Sequence, residues 1–203
     1  MLSICALLAI LVVGPIWAND GVGLPSIWGN QGMTVSLPIV VLDSSFTALG
    51  LDSGSGRLIQ GLSISVELSD PALVSSVAFA QGGVLSGLTP IFQTVAPDAG
   101  GARYSWIIAF DEAADPVPFN LDLGDTVGRI QLGIAANAPI GSVLSLTLDG
   151  GLTALSNQGG TLVVTEDNGG LELLHGAVRV EDTPIFADGF ETGNPSNWTS
   201  AVP

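Results

Sequence analysis

Segment after segment of this chain alternates apolar and polar residues, and almost nothing recurs at helical spacing. In residues 61–70, GLSISVELSD, Leu62, Ile64, Val66 and Leu68 fall on one side of an extended chain, and Ser63, Ser65, Glu67 and Ser69 on the other. Gly, Pro, Asn and Asp separate the alternating runs, which is the punctuation of short strands joined by turns. The pattern predicts strands at 34–42, 57–69, 74–80, 102–111, 126–135, 142–150, 160–167 and 171–182. Strands that each offer one apolar face bury those faces against one another most simply as two packed sheets, so an all-β sandwich is expected. Pro38 cannot donate to a sheet ladder, which places its strand at an edge or at a bulge.

The two ends read differently. Residues 2–16, LSICALLAILVVGPI, form an apolar run too short to cross a bilayer comfortably, and Ala18 supplies a small residue at a cleavage point. Residues 1–18 are therefore read as a secretory signal peptide, with an uncleaved anchor as the alternative because no Lys or Arg precedes the run. Cys5 sits ahead of most of the apolar run, too early for a lipid attachment point. The remaining 185 residues (203 − 18) contain no cysteine, so packing rather than crosslinking must stabilise them. Residues 19–32 read as a lead-in, 33–182 as the sandwich, and 183–203 as a tail.

Charge narrows the function. Four Lys+Arg face 19 Asp+Glu, a formal net charge of −15, and the four cations are Arg57, Arg103, Arg129 and Arg179. Binding to nucleic acid needs clustered cations, so that class is set aside. With 47% hydrophobic residues the chain is not expected to be disordered either.

Catalytic constellations are thin. His175 is the only histidine and lies in a predicted strand, so it is read as structural or exposed rather than as part of a triad. Adjacent carboxylates at Asp111-Glu112, Glu166-Asp167 and Glu181-Asp182 would point to opposite faces of a strand and suit solvated strand ends better than glycosidic chemistry. One histidine without cysteine gives zinc no ligand set. No cofactor is expected, with calcium the one metal candidate: Asp122 and Asp125, and Glu166 and Asp167, crowd oxygens into Gly-containing turns, although neither turn has a full calcium-loop pattern. Tyr104, Trp106, Ile108 and Phe110 alternate along one strand and read as core rather than as a sugar-stacking platform.

Three stretches carry a resemblance. GLSISVELSDPALV (61–74) is similar to the cohesin strand that ends in Asp-Pro, two residues before a buried Leu, here Asp70, Pro71 and Leu73. GDTVGRIQLGIAANAPIGSVLSLTL (124–148) resembles the cohesin stretch in which a Gly-led strand, a small-residue turn and an alternating strand follow one another. LHGAVRV (174–180) is similar to the closing strand. The likeness implies a two-sheet jelly-roll β-sandwich of eight or nine strands that does no chemistry and binds a protein partner, the dockerin module, through a flat sheet face. It further implies an extracellular or cell-surface assembly linked to polysaccharide degradation. A carbohydrate-binding module of the same architecture is the alternative, and a structural extracellular domain the second. The tail PIFADGFETGNPSNWTSAVP (184–203) resembles a short C-terminal DGFE-[ST]-G tag of exported bacterial proteins.

The candidate binding face follows from the alternation. Ser63, Ser65 and Glu67, with Ser105, Ile107 and Ala109 on the neighbouring predicted strand, present small side chains that allow close approach around one apolar anchor. An ordinary solvated face with a stray isoleucine is the competing reading.

Overall fold

The computed structural model describes residues 19–45, 47, 51 and 56–182; the proposed signal segment and the tail lie outside these. Among the described residues thirteen strands run in chain order: β1 (Asp20–Gly23), β2 (Ser26–Asn30), β3 (Thr34–Leu42), β4 (Gly61–Leu68), β5 (Val74–Gln81), β6 (Phe92–Pro97), β7 (Arg103–Ala109), β8 (Asp125–Ile134), β9 (Val143–Leu148), β10 (Ala154–Ser156), β11 (Val163–Thr165), β12 (Leu171–Leu174) and β13 (Gly176–Glu181). One sheet has five strands in the order β12-β1-β3-β8-β5. The other has eight: β11-β10-β4-β9-β13-β2, with β7 pairing β4 and β6 pairing β7. The molecule is the all-β two-sheet jelly roll that the alternation and the resemblance imply.

The first and last described strands bind the sheets together. β1 pairs with β12 in parallel in the first sheet, and β2 with β13 in parallel in the second. Each terminal stretch crosses from sheet to sheet with a short break, at Leu24-Pro25 and at His175. Residues 19–32, expected only to lead in, thus supply a strand to each sheet. Their short, glycine-containing sequences, DGVG and SIWGN, carry too little alternation to announce it.

The inward residues form one core. Leu37, Ile39 and Val41 of β3 and Ile130, Leu132 and Ile134 of β8 are buried, as are Leu62, Ile64 and Val66 of β4 and Leu144, Leu146 and Leu148 of β9. Trp106, Ile108 and Phe110 are also fully buried, and Tyr104 is half-buried, so the aromatic stripe belongs to the interior. Trp106 stacks on Phe79 of β5 with ring centroids 5.9 Å apart. Gly128 of β8 makes room for this ring: a Cβ there would sit 3.0 Å from Trp106 Cη2.

Pro38 lies where its requirements are met. β1 pairs with β3 only from Val40 onward, and the β3–β8 register shifts between Ile39 and Val40, so Pro38 faces a ladder on one side and adjoins a bulge. Downstream of β4, Asp70 caps a single 3₁₀ turn at Pro71–Leu73 by accepting the Ala72 N–H at 3.0 Å, and Leu73 is buried. This is the geometry expected of the Asp-Pro stretch.

Candidate functional site

The outer face of the eight-stranded sheet is built by β6, β7, β4 and β9. Antiparallel pairing sets Ser63 opposite Ile107, Ser65 opposite Ser105, Glu67 opposite Arg103 and Gly61 opposite Ala109. All six candidate residues therefore share one face, as the alternation requires. β6 extends it, with Phe92 opposite Ala109, Thr94 opposite Ile107 and Ala96 opposite Ser105. β9 adds Ser145 and Thr147 on the far side, both exposed.

Ser65 departs from expectation. It is fully buried, because the chain between β9 and β10 folds over it rather than running straight on. Asp149 N–H donates to Ser65 O at 2.9 Å, and Thr153 Oγ1 accepts the Ser65 N–H at 3.3 Å. Ser105 Oγ–H then donates to Ser65 Oγ at 3.0 Å, and Ser63 Oγ–H to Leu152 O at 2.7 Å. The serines thus hold a loop at the middle of the face. Of the six candidates, Ile107 and Glu67 are exposed, whereas Ser63, Ser105 and Ala109 are half-buried.

That loop supplies what sequence reasoning missed. Leu152 at its tip is 45% exposed, Ile107 38% and Phe92 52%, and with the exposed Val143 of β9 they put apolar side chains among the small polar and charged groups of this face. Phe92 escaped notice because β6 exposes nearly every residue and so shows no alternation; Pro90 before the strand and Pro97 at its end were the available signal. At the rim, Arg103 Nη1 donates to Asp149 Oδ2 at 3.2 Å, an ion pair too exposed to add much stability. Trp28, 69% exposed, stands at the sheet's far edge beside Arg179.

The remaining candidates have structural partners. Asp122 accepts the Ser45 N–H at 2.9 Å and the Ser45 hydroxyl as well; these two bonds, the hydroxyl's first, hold its carboxyl below the usual range. Asp125 accepts the Asn120 N–H at 2.6 Å and the Asn120 Nδ2–H at 2.8 Å. These carboxylates tie neighbouring loops together. Glu166 and Asp167 are exposed in the turn after β11, and among the described residues no three His, Cys, Asp or Glu side chains are grouped to hold a metal ion. His175 is exposed, and its Nδ1 accepts the Leu148 N–H at 3.1 Å. A triad histidine instead donates from Nδ1 to an acid, so the proton here sits on the wrong nitrogen for that chemistry.

No protein-family model and no curated protein matches the sequence. Solved structures do. The third cohesin ScaC of Acetivibrio cellulolyticus, in complex with the ScaB dockerin, superposes with a TM-score of 0.58 at 19% identity over 80% of this chain and 99% of that one. The OlpC cohesin of Clostridium thermocellum, in complex with Doc435, gives 0.59 at 10% identity over 81% and 95%. The seventh ScaB type I cohesin of Pseudobacteroides cellulosolvens gives 0.56 at 12% identity over 84% and 97%. At such identities the likeness is one of architecture, and the architecture of this chain is the cohesin fold.

Proposed function

We propose that this chain is a non-catalytic docking module that receives a dockerin-type protein on the β6-β7-β4-β9 face, outside the cell or at its surface. The observation that carries the reading is the face itself: a sheet of mostly small side chains from which the apolar Phe92, Ile107 and Leu152 project, with Val143 of β9 toward its far side. Small residues let a partner's backbone or helix approach closely, while a few desolvated anchors dominate binding energy. Support comes from solved neighbours of the same fold that are complexes with dockerins. An extracellular setting agrees with the leader-like segment at 1–18, and no helix among the described residues is long and apolar enough to cross a membrane. The acidic surface, −15 overall, favours a partner with basic residues at the rim of its interface.

The test is calorimetry against purified dockerin modules, first those encoded beside the chain's own gene and then type I dockerins such as those in the neighbouring complexes. At least one should bind, and Ile107→Asp should weaken it by about 2 kcal/mol or more, because a charge is forced into the desolvated centre. Binding that is equal in the wild type and in Ile107→Asp removes this face. No binding by any dockerin removes the dockerin assignment.

A further inference from the structure

β2 forms the far edge of the eight-stranded sheet: among the described residues it pairs only with β13, in parallel. Gly29 fixes which way its side chains point. It turns to the core, where an added Cβ would lie 2.7 Å from Val35 Cγ1 and 3.0 Å from Val178 Cγ1. Backbone packed so closely holds the strand in place and sends Trp28, one residue earlier, to the solvent face. There Trp28 is 69% exposed, more than any other large hydrophobic side chain among the described residues, and no ring among them stacks on it. Trp106, by contrast, gives its whole indole to the core.

The register surrounds this ring with polar groups. Trp28 stands opposite Arg179, Ser26 opposite Ala177, and Asn30 opposite Glu181, so all six share the outer face. Ser26 and Asn30 lie about 6.6 Å to either side of Trp28 along the strand, a spacing comparable to the width of a pyranose with its hydroxyls. The side chains of Ser26, Asn30, Arg179 and Glu181 form no hydrogen bond or ion pair with another described residue. Their donors and acceptors are open to a ligand. One cation and one anion, two positions apart on β13, leave the patch with no net charge.

We infer that Trp28, with these polar neighbours, binds a neutral polysaccharide laid across the β13-β2 edge. The flat indole offers a surface on which the apolar face of a sugar ring stacks. Around it the Glu181 carboxylate accepts from neighbouring hydroxyls, while Arg179 and Asn30 donate to them. A protein partner would need more apolar area than one ring set among Ser26, Ala177, Asn30 and Glu181 provides. A uronic acid polymer would meet Glu181 and a chain of net charge −15. The open edge has no enclosing wall, which suits an extended polymer rather than a free monosaccharide. Four strand spacings, about 19 Å, separate Trp28 on β2 from Ile107 on β7. Val143 of β9 continues the row beyond Arg179 and belongs to the docking side. The two sites share no residue, and this inference does not rest on the docking reading.

The experiment is affinity electrophoresis of the full chain through soluble β-glucan, xylan, galactomannan and polygalacturonate, followed by calorimetry with the hexasaccharide of whichever polymer retards it. At least one neutral polymer should retard the protein, and more strongly than polygalacturonate. Trp28→Ala should weaken binding about tenfold or more, Trp28→Phe, which keeps a ring, should weaken it less, and Glu181→Gln should weaken it about fivefold. Because these side chains are exposed, the variants should melt within about 2 °C of the wild type. Should Trp28→Ala fail to fold, Glu181→Gln decides, since it leaves both the ring and the ladder in place. The inference is overturned if no neutral polymer retards the wild type, if polygalacturonate is held more tightly than every neutral polymer, or if folded Trp28→Ala or Glu181→Gln binds as the wild type does. Ile107→Asp should keep its sugar binding, so that the docking reading stands or falls separately.

Discussion

β8 and β6 are both strands of this sandwich, yet they are held by different forces. β8 pairs on both sides, with β3 and β5, and buries Val127, Ile130, Leu132 and Ile134. Among the described residues β6 pairs only with β7, and of its six residues only Thr94 is even half-buried. Burial of aliphatic side chains keeps β8 in place. A backbone ladder and the turn that closes its hairpin keep β6 there. At that turn Asp98 accepts the Arg103 N–H at 3.2 Å and the Ala102 N–H at 2.9 Å, and these bonds, Arg103's first, hold its carboxyl below the usual range. The contrast shows that the fold devotes one strand to the core and another to its outer surface, and the apolar side chains of β6 are free for partners because the core does not use them.

Substitutions can break this division in order of effect. Trp106→Ala empties the largest buried side chain between β7 and β5 and should cost about 3–5 kcal/mol in denaturant unfolding. A cost below about 1 kcal/mol would mean that the core is not organised around that ring. Ile107→Asp, one residue along the same strand but facing outward, should change stability by no more than about 0.5 kcal/mol while partner binding falls by the larger amount given above. Gln60→Leu should raise stability by about 1 kcal/mol, since it relieves two buried unpaired atoms at similar volume.

The smallest effect concerns pH. Because the Asp98 carboxyl titrates lower in the folded chain than in the unfolded one, its contribution is complete above the unfolded carboxylate pKa. It is lost as pH falls through the lower folded value. Amide exchange of β6 should therefore quicken, relative to β8, in that acidic window, and Asp98→Asn should abolish the difference. Equal pH dependence in β6 and β8 would show that the turn does not hold the hairpin.

Legibility in the sequence followed the same division. Strands that alternate were readable almost to the residue: the expected 34–42 is Thr34–Leu42, and 74–80 is Val74–Gln81. β6, β1 and the three-residue β10 were not readable, because a strand exposed on both faces, rich in glycine or very short leaves no period-two trace. The run 171–182 proved to be two strands, β12 and β13, broken at His175 where the chain changes sheets. The candidate face was legible as a parity, but its contents were not. Ser65 shares the outward parity of Ser63, and nothing local distinguishes a serine that meets water from one capped by a loop 88 residues away.

By itself the sequence determined that this protein is a β-sandwich with an aliphatic and aromatic interior, because side-chain alternation is a local property and one apolar face per strand has few ways to be buried. Tertiary structure alone decided which polar residues stay on the surface, that Phe92 and Leu152 join Ile107, and that Gln60 is buried with its amide unpaired. Those outcomes depend on contacts between segments far apart in the chain, and no local pattern encodes the path of a loop.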